Sequence, residues 1–580
     1  MRHRVSSSEG LQVVWFKRDL RIDDHEALEH AIRQGPVLAL ILIETALWRA
    51  SGLAAQHFDF ALECYQDLQL EVASLGAGLS LITCDRAQDA FDWLHQQVGL
   101  ACIHSHMETG DGASYKRDLD MLEWCKRHKV RWCEYRQFGV VRGLKQRKAW
   151  ASQWELLMRV PRVQFDPVKA AEALQAGRAL LQSALIQRRE HHVAESDAPF
   201  TQFTQPDNGR LLYIPLHSTT FFTADELVSL ELPSADALGL SALRPPRRQR
   251  GGLRAAKTQF SSFLDTRSAH YRGGISSPLS APEACSRLSV YLSYGCISMR
   301  ELVQETRSKL EAIGDRSNRQ YKGLEGFLSR LHWHCHFIQK LETEPEIEFY
   351  NMHRGYDGLR ESYFDQTRFE ALKAGKTGWP MVDACVRMLG DCGWLNFRMR
   401  AMLVSVASYP LWLHWRQVGQ WLAQGFLDFE PGIHWSQMQM QSGTTGINTT
   451  RVYNPIKQAH EHDPLGIFVR RWLPAIRSVP EQFVFEPWLA PARYRQSASE
   501  PIIDPIVDLA RATREAKAKV HALRAESSVI AQTQSVLRKH ASAMRSQERY
   551  LPSRKGSIAQ HAVHGNKGEN LSNQLSFDFE

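Results

Sequence analysis

No apolar run in this 580-residue chain reaches the roughly 18 residues that a membrane-crossing helix needs, so no membrane partner is expected. No hydrophobic stretch follows the basic start "MRHRVSSSEG", which argues against a secretory signal and for a cytoplasmic protein. None of the ten cysteines stands in a CxxC pair. That disfavours a disulfide framework or a zinc site and favours buried, reduced thiols, so no metal is expected. Scattered iron–sulfur ligands stay open, because such ligands need not be adjacent in sequence. No GxGxxG follows the first apolar run, "LQVVWF", which removes the common dinucleotide fingerprint.

What is present has a clear order. The net charge of +8 permits a polyanionic partner without requiring one. Near-continuous apolar runs at 11–16, 37–43, 79–84, 101–106 and 130–135 alternate with amphipathic stretches. That texture predicts a doubly wound, parallel, five-stranded α/β domain over 11–140, with ligands beyond the carboxyl ends of the strands. Residues 141–257 read as a connector, and "SALRPPRRQRGGLRAAK" (241–257) as an exposed linker. From 258 to 496 apolar residues recur at helical spacing, which predicts a large all-α domain. The polar tail, 497–580, carries a stretch that suits a surface or transient helix, and 552–573 are expected to be disordered. Many of the 16 Trp and 24 His fall within 330–440, where a pocket would use flat rings.

Seven stretches carry more than texture. They are "VVWFKRDLRIDDHEAL" (13–28), "SRLSVYLSYGCIS" (286–298), "TGWPMVDACVRML" (377–389), "CGWLNFRMR" (392–400), "YNPIKQ" (453–458), "IFVRRWLPAIRSVP" (467–480) and "EPW" (486–488). In this order they resemble the photolyase/cryptochrome flavoproteins, as a divergent bacterial-type member. The resemblance implies an N-terminal antenna domain and a helical domain holding FAD.

The resemblance also implies residue roles. Cys285, Ser286, Arg287, Leu288 and Ser289 line the FAD phosphates, with Cys285 where a Thr is usual. The residues themselves suit this, since "ACSRLS" offers hydroxyls and precedes a helical pattern whose N-terminus favours an anion. Tyr271 resembles the residue that closes over the cofactor. Arg400 and Asp428 resemble the ion pair beside the flavin ring, with Glu430 close by, and an Arg fork on a carboxylate fixes a ring edge directionally. Trp333 resembles the residue that stacks on a flipped DNA lesion. Around it the pattern departs: Arg330 replaces a carboxylate, His334 replaces an Arg, and Phe397 replaces an Asn, while Arg398 is retained. His334 and His336 are candidate proton donors for a (6-4) photoproduct.

"HWSQMQMQ" (434–441) raises a question that the resemblance sharpens. Counting from Asp428 puts His434 nearest flavin N5, where a His near neutral pH would change charge. The alternative is a core His bonded to a backbone carbonyl, and a slip of one residue would put Trp435 there. By the same count Met438 replaces the flavin-proximal Trp of the family's electron relay, Trp415 keeps the middle position, and the distal one falls near Ser362 and Tyr363. The usual relay is therefore expected to be broken, with Trp379, Trp394, Trp435 or Tyr363 as substitutes. Glu108, in "HMETGDGASYKRD", resembles an anchor for a folate antenna; a deazaflavin-filled or unoccupied site is equally compatible, and a plain surface loop is the alternative. "QLSFDF" (574–579) resembles the peptide by which bacterial proteins dock on the sliding clamp.

The function expected is a light-driven, FAD-dependent photolyase repairing UV-damaged DNA as a monomer. The alternative is a cryptochrome-like photoreceptor without repair. A light-independent flavin oxidoreductase fits poorly, because no nicotinamide motif is present.

Overall fold

The structure, a computed structural model, describes residues 10–193, 212–215, 232–362, 364–448, 451–496 and 498–540. The N-terminal sheet comprises β1 (Leu11–Phe16), β2 (Val37–Glu44), β3 (Ser80–Cys84), β4 (Leu100–His106), β5 (Arg131–Tyr135) and β6 (Leu212–Pro215). Every pairing is parallel, in the order β5-β4-β1-β2-β3-β6. Five strands were expected; the sixth comes from the connector, whose four strand residues are too few to show a periodicity. β1 to β3 are buried along their whole length, as a sheet covered on both faces requires. Their side chains alternate between two cores: Val13 and Trp15 face one, Val14 and Phe16 the other.

The second core does not stop at the sheet. It runs on through Tyr271, Leu288, Phe327 and Leu331 of the helical region, so the two domains share buried apolar surface. Polar contacts add to it. His57 Nε2 donates to Phe426 O at 3.0 Å, and Gln56 Nε2 to Gln424 O at 2.6 Å.

The stretch expected to be an exposed linker keeps most of its arginines exposed but is tied down as a strap. Asp59, Glu63 and Asp67 sit one turn apart on the helix Ala55–Ser74. Arg244, Arg248, Arg250 and Arg254 pair with them at 2.6 to 3.0 Å, and Gly251 N donates to Glu63. Arginine-rich composition suggested solvent, but a matching acidic row was waiting on one helix face.

Within the helical region three helices matter most: Arg319–Thr343, Trp415–Gly425 and Pro431–Ser442. Pro431 opens the last one, where its missing N–H costs nothing, and Gly443 ends it at φ 78°. Two glycines let these helices touch. A Cβ on Gly432 would lie 2.5 Å from Ile338 Cα, and one on Gly419 would lie 2.6 Å from the Trp435 ring.

The first part of the tail is ordered into helices Leu509–Arg524 and Ser527–His540. They pack against the helical domain: Ala516, Val520 and Val529 join Tyr356 and Tyr409, and His540 Nε2 meets Glu344 Oε2 at 2.8 Å. Tyr363 and the 574–579 peptide lie outside the described residues. No helix among the described residues is long and apolar enough to cross a membrane.

Candidate functional site

The expected phosphate loop leaves a turn of helix, Ala281–Ala284, and enters another of only five residues, Ser289–Ser293. So short a helix contributes little dipole. The loop has other means. Arg287 sits at φ 61°, a left-handed conformation that is uncommon for any residue other than glycine. Gln249 imposes it: its Oε1 accepts from Arg287 Nε at 3.1 Å, and its Nε2 donates to Arg287 O at 2.9 Å. The guanidinium then lies 3.8 Å from the centroid of the Trp394 ring. Arg267 donates to Cys285 O at 2.5 Å and Ser286 O at 3.3 Å, fixing the loop from behind.

Arg400 and Asp428 form the expected pair, Nη2 to Oδ2 at 2.9 Å. Arg400 is also held by Leu395 O and lies 4.1 Å above the Phe426 ring. Burial pushes the Asp428 carboxyl up, but Arg400 and the Ser289 hydroxyl more than offset this and hold it below its usual range. Asp428 Oδ1 is enclosed without a protein partner. Two residues on, Glu430 pairs with Arg18 at 3.2 Å through Oε2, and its Oε1 is likewise enclosed and unpartnered. Burial pushes Glu430 up to about 7 despite Arg18. Tyr271 is buried between Phe263 and Phe327, and burial raises its phenol far above the ordinary value, against a hydrogen bond from Arg330. The Arg that replaces a carboxylate in the sequence pattern is thus turned toward Tyr271.

His434 answers the question raised by "HWSQMQMQ". It is buried, and its ring Nε2 lies 2.9 Å from Gly419 O, the backbone partner of the alternative reading. Burial lowers its pKa to about 4. A charge change near neutral pH is therefore corrected: His434 is neutral there. The next residue, Trp435, packs edge-to-face on it at 4.8 Å and on Trp415 at 6.0 Å. Trp415 Nε1 donates to Asn351 Oδ1 at 2.8 Å. Trp394 is placed otherwise, under Arg287. Met438 is buried against Gly419.

On the helix Arg319–Thr343, Trp333 is half-buried and stacks on Phe337 at 5.7 Å, with His336 edge-on at 4.9 Å. The two expected proton donors are placed differently from each other. His334 packs on Phe138 at 5.3 Å, and burial lowers its pKa to about 3. His336 Nδ1 accepts from Arg147 Nη2 at 2.5 Å, and burial holds it well below its ordinary value. Both are neutral near pH 7, because each is desolvated beside cations. Phe397 and Arg398 open the helix Phe397–Ser408, behind Asn396, whose Nδ2 is spent on Ile275 O and Ser276 O.

A second concavity lies above the sheet. The chain turns one way from β1 to β3 and the other way to β4 and β5, so the loops after β1 and β4 part at this point. The opening between them, a half-open cavity of about 140 Å³, is lined by Trp15, Arg18, Trp48, Tyr65, Glu108 and Phe429, among others. Glu108 is there, as expected, but it is paired with Arg117 at 2.5 Å. Arg117 also reaches Glu44 and Asp118 and covers Trp15 at 4.8 Å.

Comparison with known proteins identifies the family of this arrangement. Residues 12–140 match the model described as DNA photolyase, and 327–522 the FAD binding domain of DNA photolyase. The chain belongs to the photolyase/cryptochrome family. It is 25% identical to a deoxyribodipyrimidine photo-lyase of Vibrio cholerae, over 83% of this chain and 94% of that one. It is 24% identical to a cryptochrome DASH of Gloeobacter violaceus, over 86% and 93%. The fold matches an archaeal photolyase from Sulfolobus tokodaii, described with two FAD molecules, at TM-score 0.63 and 20% identity, covering 88% of this chain and all of that one. Relatives of both kinds leave repair and photoreception undistinguished.

The residues fit the family's FAD. Asp428 Oδ1 and Glu430 Oε1 are enclosed acceptors awaiting donors, Arg287 is locked in a strained conformation, and Arg400 is fixed by two partners. Residue-by-residue reading missed Gln249, Arg267 and Arg18, which position this site from other segments. Gln249 lies in the Arg-rich strap, Arg18 just past the end of β1, and Arg267 just past the helix Leu253–Asp265, places that carry little sequence signal.

Proposed function

We propose that the chain is a light-driven DNA photolyase, with its lesion pocket against the FAD site. The observation that carries this reading is the Trp333–Phe337 stack. It is an aromatic surface built on the same helix whose Arg330 bonds Tyr271 and whose Ile338 touches Gly432. Bound FAD would supply light-driven one-electron chemistry. Arg400, Asp428, Glu430 and the 285–289 loop would hold it, while Trp333 would receive a base flipped out of the duplex. His434 would offer Nδ1 as an acceptor, since its Nε2–H is spent on Gly419. Trp435 and Trp415 form the aromatic pair that stands in for the lost relay. The cavity above the sheet would take a folate or deazaflavin antenna through Glu108, and residues 574–579 would dock on a sliding clamp.

A binding experiment tests the carrying observation. Trp333→Ala with unchanged flavin content should weaken binding to UV-damaged oligonucleotide by about 1–3 kcal/mol, the worth of one base–aromatic stack. Equal affinity would remove Trp333 from the lesion pocket. Loss of clamp pull-down on deleting 574–580 is expected in turn, and its retention would end that part.

The photoreceptor reading has one observation in its favour. The helices 509–540 are docked on the flavin domain, with His540 and Lys539 on Glu344 at the end of the Trp333 helix. That contact would let a change at the flavin reach the tail.

A further inference from the structure

Cysteines that no local motif unites are united by the sheet. β4 carries Cys102, His104 and His106 on one face, and the neighbouring β5 carries Arg131, Cys133 and Tyr135 opposite them in register. The other face of the same two strands packs Ile103 and Trp132 into an apolar core. The polar face is not explained by packing alone.

Cys102 Sγ and Cys133 Sγ lie 3.6 Å apart. That is too long for a disulfide, whose sulfurs are about 2.0 Å apart. It matches the spacing of about 3.8 Å that two thiolates take on one tetrahedral zinc with Zn–S of about 2.3 Å. One ring nitrogen of His104 and both sulfurs fall within 4.8 Å of one another. The surroundings supply what such ligands need. His104 Nε2 is 3.1 Å from Gln12 Oε1, and Gln12 is itself oriented by donating to Gly10 O at 3.0 Å. With Nε2–H on that oxygen, Nδ1 keeps its lone pair, which is how a metal-binding imidazole is usually oriented. The phenol of Tyr135 now occupies Nδ1 at 3.0 Å, a bond that binding would exchange. Burial pushes the Cys102 thiol up to about 12, and Arg131 Nε, donating to Cys102 Sγ at 3.4 Å, offsets part of that, so the thiolate depends on the cation itself. Cys102 is fully buried while Cys133 is half-buried on the edge strand, so a cation has a path in.

We propose that Cys102, His104 and Cys133 form a site for a thiophilic divalent cation, zinc fitting its two sulfurs and one imidazole best, with a fourth position left to solvent. Binding releases the two thiol protons and leaves a neutral centre of one dication, two thiolates and an uncharged imidazole. The site staples edge strand β5 to β4, far in sequence from the flavin residues.

The experiment uses the full chain with its flavin, kept reduced by a thiol-free reductant. Zinc is added, excess is removed by dialysis, and zinc is counted per chain by elemental analysis. One zinc per chain is expected, with two sulfurs at about 2.3 Å and a nitrogen at about 2.0 Å by X-ray absorption. Cys133→Ser and His104→Gln should each lose it, with flavin content reporting that they fold. Gln12→Ala should retain it about 10- to 100-fold more weakly. Zinc retention that is unchanged in Cys133→Ser, no retention by the native chain, or an absorption spectrum without sulfur would each overturn the proposal. If His104→Gln fails to fold, Cys133→Ser and the absorption spectrum decide alone.

Discussion

His434 shows how a neighbour decides a residue's chemistry. In sequence it is a titratable group where the family faces flavin N5; in the fold its Nε2–H is committed to Gly419 O and desolvation holds it neutral. A pH titration of the bound flavin's absorption should therefore show no step from His434 above about pH 5. A step near 6.5 that disappears in His434→Asn would contradict this. Glu430 runs the other way. Its folded pKa of about 7 lies above the ordinary 4.5, so between those values the fold holds a proton that the unfolded chain has lost. Stability falls as pH rises through that window, by up to about 1.4 kcal/mol per unit for one such group. Glu348, raised to about 7, and Asp383, raised to about 6, act in the same direction. Glu430→Gln should flatten the decline in melting temperature between pH 5 and 8, and an unchanged slope would remove Glu430 from the effect. Trp435 and Trp394 are separated by placement. Trp435→Phe should slow flavin photoreduction roughly tenfold, a barrier change of about 1.4 kcal/mol, while Trp394→Phe should not. Equal rates in both variants would break the proposed route.

At the scale of elements, the flavin site depends on three helices meeting at glycines. Gly432→Ala would push a methyl against Ile338 Cα and cost about 1–3 kcal/mol, as overpacking does. The expected result is a lower melting temperature together with lower flavin retention, because the same helix carries His434. Normal flavin content would mean that the crossing does not shape the site. These elements differ in how far they could be read from sequence. β1 to β3 were legible because strands buried on both faces are apolar along their length. The long helices were legible from periodicity, and Arg400 with Asp428 from their motifs. β6 was not, since four residues carry no period. Nor was the strap, since its arginines find Asp59, Glu63 and Asp67 only after the helix Ala55–Ser74 has formed. Cys102, His104 and Cys133 are the sharpest case: their relation lies in the register of β4 and β5, which single-sequence spacing does not encode.

For the whole molecule, one apolar core crosses from the sheet into the helical domain, so the cavity above the sheet and the flavin loop are held by the same packing. Arg18 makes this concrete, since it lines that cavity while bonding Ser293 O and Glu430. The helices 509–540 belong to this unit as well. Ending the chain at residue 508 should uncover Tyr356 and Tyr409 and lower the melting temperature, whereas an unchanged temperature would make the docked helices incidental. The function proposed for this assembly is light-driven DNA repair. The most direct test gives the purified, flavin-loaded, reduced protein oligonucleotides with a single cyclobutane dimer or a single (6-4) product, single- and double-stranded, in blue light and in the dark. Restoration of at least one lesion is expected in light alone, with Arg330 and Phe397 in place. No restoration of any substrate by a protein whose flavin is bound and photoactive would contradict it and leave the photoreceptor reading standing.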